Sequence, residues 1–204
     1  MWSKLQQQYS LRNFTFKYLN SIIIKLNFVL RGAKMNKEKL INIAKKFKID
    51  GTPIELEKCN SGHINKTYAI KYKKENGETK KYILQYVNTN VFPNLPELME
   101  NIKKVTNYMS KKAEENGETT DRLTIKMIDT IDENPSGLYN NNWRMEEFID
   151  NTKTYLTTED MEILSEAGKA AGKFQKHLHG FPADELYEII PKFHYTPNRV
   201  EQLK

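Results

Sequence analysis

Residues 52–87, TPIELEKCNSGHINKTYAIKYKKENGETKKYILQYV, decide how the rest of the sequence is read. The stretch contains three strand-like runs, at 54–59, 65–73 and 79–87. Asn76-Gly77 separates the last two runs and is a strong hairpin signal, while Asn60-Ser61-Gly62-His63 has the composition of a turn. The pattern therefore predicts an antiparallel meander of three strands.

Helix and strand patterns continue on both sides of this meander. Apolar spacing predicts helices over 37–48, about 95–115 and about 158–178. Further strands are predicted at 123–128 and 143–149. Gly51 is expected to end the first helix, and the segment 156–160 is expected to cap the third. Gly168 and Gly172, four residues apart, predict close packing of that third helix against another element.

The order of these elements predicts an α+β fold. A five-stranded antiparallel sheet with one helix inserted after its third strand is the organisation of a protein-kinase-like small lobe. The helices after residue 150 would then be the first helices of a truncated helical large lobe. The predicted divisions are a basic extension (1–34), an ATP-binding small lobe (35–149), and a hinge with the start of the large lobe (150–204).

Composition excludes several classes of protein. Hydrophobic residues make up 38% and charged residues 28% of the chain, which is typical of a globular protein. No run of eighteen apolar residues occurs, so a transmembrane helix is not predicted. Cys59 is the single cysteine, which excludes an internal disulfide or a multi-cysteine zinc site and makes the cytoplasm the default location.

The positive charge of the chain is concentrated in its N-terminal extension. The formal net charge is +6, and residues 1–34 contain six basic residues and no acidic one, so 35–204 is neutral by count. The neutral body argues against a nucleic-acid partner. Three interpretations of the extension are open: a membrane-surface or targeting segment, an extra helix, or a segment upstream of a natural start at Met35.

Five collinear segments resemble one enzyme family. They are SGHINKTYAI (61–70), YILQYVNTNVFP (82–93), LMENIKKVT (98–106), WRMEEFI (143–149) and FHYTPNR (193–199). Together they resemble the N-acetylhexosamine 1-kinase group within the aminoglycoside phosphotransferase and choline kinase family, over most of residues 36–200. The resemblance implies a two-lobed kinase that uses ATP and Mg²⁺ to phosphorylate the anomeric hydroxyl of N-acetylglucosamine or N-acetylgalactosamine.

The resemblance also implies a set of nucleotide-binding residues. The phosphate-covering turn would contain Ser61, Gly62, His63, Ile64, Asn65 and Thr67. The hinge that binds adenine through its backbone would contain Glu146, Glu147, Phe148 and Ile149, with Met145 as the gate residue behind it. His63 has two open interpretations, a contact to nucleotide or sugar and an ordinary turn histidine bonded to backbone.

The third strand departs from the usual kinase pattern. Kinase-like folds carry a lysine there that pairs with the α- and β-phosphates. The matching position in this sequence is Gln85, which can donate a hydrogen bond but brings no charge. Lys66 or Lys71 is a possible source of the charge, although a solvated position on the strand surface is the simpler interpretation for both.

The late segment FHYTPNR contains the candidate sugar-binding residues His194, Thr196 and Arg199. An arginine can hold an anionic group with two hydrogen bonds, but Arg199 could equally fix its own loop. His179-Gly180-Phe181 lacks the aspartate of a catalytic motif, so the catalytic base and the metal ligands are expected beyond Lys204. We therefore expect no phosphotransfer by these 204 residues, and ADP release with N-acetylglucosamine would contradict this expectation.

Two alternatives to a hexosamine kinase stay open at this point. One is a homoserine- or choline-type kinase of the same family, and the other is a nucleotide-binding fragment without catalysis. The third predicted helix should expose Ile163, Ala167 or Phe174, so self-association is also predicted.

Overall fold

A computed structural model describes residues 36–59, 62–155 and 157–203. The N-terminal extension, Ser61 and the capping residue Leu156 lie outside the described residues.

The chain divides into two compact units, 1–40 and 41–204. Of the first unit the structure describes 36–40, where Asn36 Oδ1 accepts a hydrogen bond from the Glu38 N–H at 3.1 Å. This contact caps the start of the first helix.

Within the described ranges the protein is α+β, with one antiparallel sheet of five strands in the order β1-β2-β3-β5-β4. The strands are β1 (Thr52–Cys59), β2 (Lys66–Lys73), β3 (Thr79–Tyr86), β4 (Met127–Ile128) and β5 (Trp143–Glu147). The helices are α1 (Lys37–Ala44), α2 (Leu95–Glu115), α3 (Met161–His177) and α4 (Thr196–Gln202), with a 3₁₀ turn at Ala183–Glu185. The predicted α+β class and the five-stranded antiparallel sheet are confirmed.

Alternation along the central strands gives the sheet one buried face. Its members are large apolar side chains from three strands: Tyr68, Ile70, Tyr72, Tyr82, Leu84, Trp143 and Met145. The rings of Tyr72 and Tyr82 meet edge to face, with centroids 5.3 Å apart. Full burial of one such side chain stabilises a fold by about 1.5–3 kcal/mol, so this face anchors the sheet.

The β2–β3 hairpin forms where Asn76-Gly77 predicts it. The Gly77 N–H donates to Lys74 O at 3.0 Å, and the Lys74 N–H donates to Glu78 O at 2.8 Å. Gly77 has φ +84° while Asn76 has a negative φ, so the turn is type I followed by a glycine bulge. The Glu78 N–H also donates to Asn76 Oδ1 at 3.0 Å, which fixes the register of β2 against β3.

Helix α2 follows its local signals closely. Asn94 caps it by accepting from the Glu97 N–H at 3.4 Å, and Asn116-Gly117 ends it. Its first turns bury Leu95 and Met99 in a cluster with residues from three other segments. The cluster contains Val87, Leu95, Met99 and Leu138, with Phe92, Leu98, Ile102 and Met127 packed around it. The helix is thereby fixed next to the end of β3.

The outer side of α2 holds the segment that follows α3. Tyr108 donates from its hydroxyl to His179 O at 2.7 Å, and its ring packs against Phe181. Asn101 exchanges two hydrogen bonds with the Tyr187 backbone, at 2.9 and 3.0 Å. These contacts position residues 179–187 along the helix.

A buried histidine joins the ends of α2 and α3. His177 Nδ1 lies 2.9 Å from Lys173 O, and Nε2 lies 3.0 Å from Glu118 Oε2. Each ring nitrogen therefore faces an oxygen that can accept a hydrogen bond. Lys173 and Lys176 also approach Glu118, at 3.8 and 3.6 Å.

The periodicity predicts a first helix over 37–48, but the helix ends at Ala44. Residues 46–48 pair instead with residues 129–131. The Lys48 N–H donates to Asp129 O and the Ile131 N–H donates to Lys46 O, both at 2.9 Å. The chain leaves the helix through a tight turn, in which the Phe47 N–H donates to Ala44 O at 3.2 Å, and then forms an extended bridge between Phe47 and Thr130.

The predicted strand at 123–128 was too long, since only Met127–Ile128 forms β4. The chain before it turns, with the Leu123 N–H donating to Thr120 O at 3.3 Å and Arg122 at φ +58°. A turn cannot extend the ladder with β5, so pairing begins at Met127.

Close packing at Gly168 and Gly172 was also a wrong prediction. A Cβ atom added at either glycine would meet no described atom within 4 Å. The predicted exposure on α3 is confirmed for Phe174, which is 49% exposed, and for Ala167, whereas Ile163 is half-buried.

Strand β1 lies at one edge of the described sheet and is irregular. Its register against β2 shifts between Pro53 and Glu55. Ile54 sits at this irregularity and is 47% exposed. None of the helices in the described part of the chain is both long and apolar enough to cross a membrane.

Candidate functional site

The partly exposed face of the sheet carries two rows of aligned side chains. We define the Gln85 row as Cys59, Thr67, Gln85 and Arg144, which are cross-strand neighbours in β1, β2, β3 and β5. We define the Ile83 row as Glu57, Ala69, Ile83, Glu146 and Met127, which are neighbours across all five strands. Both rows lie on one face because side chains two residues apart along a strand point the same way.

Gln85 is the centre of a hydrogen-bond network. Its Oε1 accepts from Asn65 Nδ2 at 3.2 Å and from Arg144 Nε at 3.1 Å. Its Nε2 donates to Thr67 Oγ1 at 3.0 Å. Asn65 Oδ1 in turn accepts from the Asn88 N–H at 3.0 Å. The network therefore ties the end of the β1–β2 turn to β3 and β5, and brings together three residues predicted from sequence.

Arg144 and Glu146 place opposite charges on this face. Burial lowers the pKa of Arg144 from its ordinary value, although a guanidinium stays charged at any physiological pH. Burial raises the pKa of Glu146, and the neighbouring charge of Arg144 opposes that rise. Glu146 Oε2 is buried and has no hydrogen-bond partner among the described residues. The two side chains thus share one face of the sheet, and neither is fully hydrogen-bonded within the described part of the chain.

The β1–β2 turn borders the Gln85 row. Gly62 has φ +126°, a backbone conformation that L side chains rarely adopt, and a Cβ there would meet nothing within 4 Å. The glycine is therefore required by conformation rather than by crowding. His63 and Ile64 are both exposed, with Ile64 at 52%. Within the described residues His63 makes no hydrogen bond, so its two interpretations stay open.

The predicted gate and hinge residues divide between the two faces of the sheet. Met145 is fully buried on the apolar face opposite Leu84, whereas Glu146 belongs to the Ile83 row. Of these two residues, only Glu146 therefore has its side chain on the face that carries the two rows. Glu147 forms an ion pair with Lys80 at 2.7 Å on the apolar side of β5.

The backbone groups of the hinge segment, residues 146–149, are only partly hydrogen-bonded to other described residues. The Phe148 N–H donates to Lys81 O at 3.3 Å, and Lys81 lies over the Phe148 ring at 5.4 Å. Ile149 O accepts from Thr152 Oγ1 at 3.2 Å. The Ile149 N–H donates no hydrogen bond to any other described residue, so it remains available to a ligand.

A separate cavity of about 290 Å³ adjoins the hinge segment. It is lined by both signs of charge: Lys80, Arg122, Lys126, Asp121, Glu147 and Asp150. None of its lining residues belongs to the Gln85 row or the Ile83 row. The cavity is therefore distinct from the surface that the two rows form.

The three candidate sugar-binding residues lie around the start of α4 and are used locally. Arg199 donates from Nε and Nη2 to Phe193 O at 3.4 and 3.2 Å, and its guanidinium lies 5.6 Å from the Phe193 ring. The His194 ring packs edge to face against the same phenylalanine. Thr196 is the first residue of α4. The hydrogen bonds and ring contacts described for His194 and Arg199 are made to Phe193 in their own segment.

Sequence reasoning missed Arg144. The signal is the alternation Trp143-Arg144-Met145-Glu146, in which two buried apolar residues alternate with two charged ones. Within the described ranges no group of three acidic, histidine or cysteine side chains could hold a metal ion. No protein-family model matches the sequence.

Proposed function

We propose that this chain forms the ATP-binding lobe of a small-molecule kinase. The observation that carries the proposal is the order of groups on one sheet face: a glycine turn, then the cationic Gln85 row, then the apolar centre of the Ile83 row beside the hinge segment. A nucleotide has the same order, with an anionic phosphate chain at one end and a planar base at the other.

The apolar centre of the Ile83 row suits a planar base. Ala69 and Ile83 are half-buried cross-strand neighbours, so a ring stacked on them would cover apolar surface that water now reaches. The Ile149 N–H is a free donor nearby in sequence, and adenine N1 is an acceptor. Backbone recognition of this kind supports adenine binding without requiring a particular hinge side chain.

The strand order supports the same proposal. The sheet order β1-β2-β3-β5-β4, with α2 between β3 and β4 in the chain, is compatible with a kinase-like small lobe. The acceptor rests on the motif resemblance, which favours the anomeric hydroxyl of an N-acetylhexosamine. ATP would be the phosphoryl donor. The described residues do not form a Mg²⁺ site, and we assign no step to that ion.

Isothermal titration of the full chain with ATP tests the proposal. We expect saturable binding that Ile83→Glu weakens at least about tenfold, which corresponds to about 1.4 kcal/mol, because a carboxylate would replace the apolar floor. Ile131→Glu is the matched control, since Ile131 is 58% exposed and lies outside both rows. Absence of ATP binding by the unmodified chain, or equal binding by Ile83→Glu, would exclude this site.

A further inference from the structure

Gln85 leaves the expected site for phosphate without a charge on β3, and the structure has a cation directly beside it. Arg144 is the cross-strand neighbour of Gln85 in β5, and its Nε donates to Gln85 Oε1 at 3.1 Å. Gln85 is itself held by Thr67 and Asn65. The arginine is therefore held on the face that carries both rows, at the row nearest the glycine turn.

The terminal nitrogens of Arg144 make no hydrogen bond to any described residue, and Nε donates only to Gln85. Glu146 lies two residues along the same strand and attracts the guanidinium electrostatically, but the described residues show no ion pair within 4.0 Å between the two side chains. A half-buried guanidinium with two free NH₂ groups can hold an anionic oxygen pair in bidentate fashion.

The lysines considered from sequence are placed differently. Lys66 aligns with Tyr86, lies 5.8 Å from that ring and therefore belongs to the opposite face. Lys71 lies two rows from Arg144 and pairs with Glu55 at 2.6 Å. The acidic residue Glu100 of α2 forms an ion pair with Lys104 of the same helix at 3.2 Å, and not with either of these lysines. Arg144 is thus the cation that the Gln85 network orders.

We infer that Arg144 binds the phosphate chain of the nucleotide, and that Gln85 is a positioning residue that holds its guanidinium. The inference rests on the proposed function, because it assigns the phosphate contact within that same site. In this assignment the positive charge that binds phosphate is on β5 instead of β3. It still lies beside the same glycine turn. The ligand recognised by Arg144 is a di- or triphosphate group rather than the base.

Titrations with ATP, adenosine and tripolyphosphate separate the two parts of the ligand. We expect Arg144→Gln to weaken ATP and tripolyphosphate binding at least about tenfold and to leave adenosine binding within about twofold. Gln85→Leu should weaken ATP binding by a smaller factor, again without affecting adenosine. Lys71→Gln removes the same formal charge from the same face and should leave all three affinities unchanged.

The outcomes distinguish this inference from the proposed function. If the unmodified chain binds ATP and folded Arg144→Gln binds it equally well, the role of Arg144 is refuted while nucleotide binding stands. If the unmodified chain binds neither ATP nor adenosine, the proposed function fails and this inference fails with it. Should Arg144→Gln not fold, Arg144→Lys keeps the charge but loses the two NH₂ groups, and an adenosine affinity that falls as much as the ATP affinity in that variant would overturn the assignment.

Discussion

Tyr72 carries a hydroxyl group that has no hydrogen-bond partner among the described residues. The residue is 2% exposed, and its hydroxyl oxygen is buried with no hydrogen bond. Burial raises the pKa of Tyr72, because the phenolate would have to lose its hydration. A buried and unsatisfied polar atom costs stability that an apolar replacement of the same shape recovers.

We therefore predict that Tyr72→Phe increases the free energy of unfolding by about 1 kcal/mol, measured by chemical denaturation. Tyr82→Phe is the matched control, since its ring meets Tyr72 but its hydroxyl is not among the buried unsatisfied groups. The control should change stability by less than about 0.5 kcal/mol. A loss of stability in Tyr72→Phe would mean that the hydroxyl has a partner.

Individual site residues differ in how far sequence could identify them. Asn65, Thr67 and Gln85 stand in recognisable motifs, and the structure brings them together. Arg144 joins them only because β3 and β5 pair in one particular register, which no local signal specifies. The same register places Met145 in the core and Glu146 on the site face. A shift of one residue would exchange them.

At the scale of elements, local sequence signals determine the ends of α2, whereas the bounds of α1 and β4 depend on other features of the fold. Asn94 and Asn116-Gly117 mark both ends of α2 in the sequence, and the predicted bounds hold. The end of α1 depends on residues 46–48 meeting 129–131, more than eighty residues away. The start of β4 follows the turn around Arg122, which has a positive φ. Hydrophobic periodicity carries no information about the distant pairing or the turn, so these two predictions failed.

The junction of α2 and α3 should make stability depend on pH. The hydrogen bond from His177, followed by the charges of His177, Lys176 and Lys173, holds the pKa of Glu118 below its ordinary value of 4.5. A carboxylate with a lowered folded-state pKa stabilises the fold at pH values above its ordinary pKa. That stabilisation is lost as the pH falls through the folded-state pKa.

We predict that Glu118→Gln lowers the melting temperature at about pH 6, and that the difference from the unmodified chain shrinks as the pH falls below 4.5 and through the lowered folded-state pKa. Thermal melts followed by circular dichroism across this range measure the effect. Glu115→Gln is the control, because Glu115 forms an exposed ion pair with Lys112 that should contribute little. A difference that persisted in acid would show that shape, not charge, is responsible.

At the scale of the molecule, the exposed apolar side chains of α3 bear on solution behaviour. Met161 is 75% exposed, and Leu164 and Phe174 are about half exposed, at 48% and 49%. Adjacent exposed apolar residues on a helix favour association, since covering them removes apolar surface from water.

We predict that the full chain associates as its concentration rises and that Phe174→Glu reduces this association. Light scattering over a concentration series measures it. Ile131→Glu introduces the same charge at another exposed apolar residue and should leave the association unchanged. A monodisperse monomer at every concentration would contradict the prediction.

The irregular register of β1 has a consequence for the crowded solution in which a protein folds. A straight edge strand offers a continuous row of backbone donors and acceptors on which a second chain can be templated, and repeated addition grows a fibril. Pro53 removes one donor from that row, and the slip before Glu55 breaks its spacing. The irregular backbone of the first strand thus hinders the addition of a second chain at this edge of the sheet.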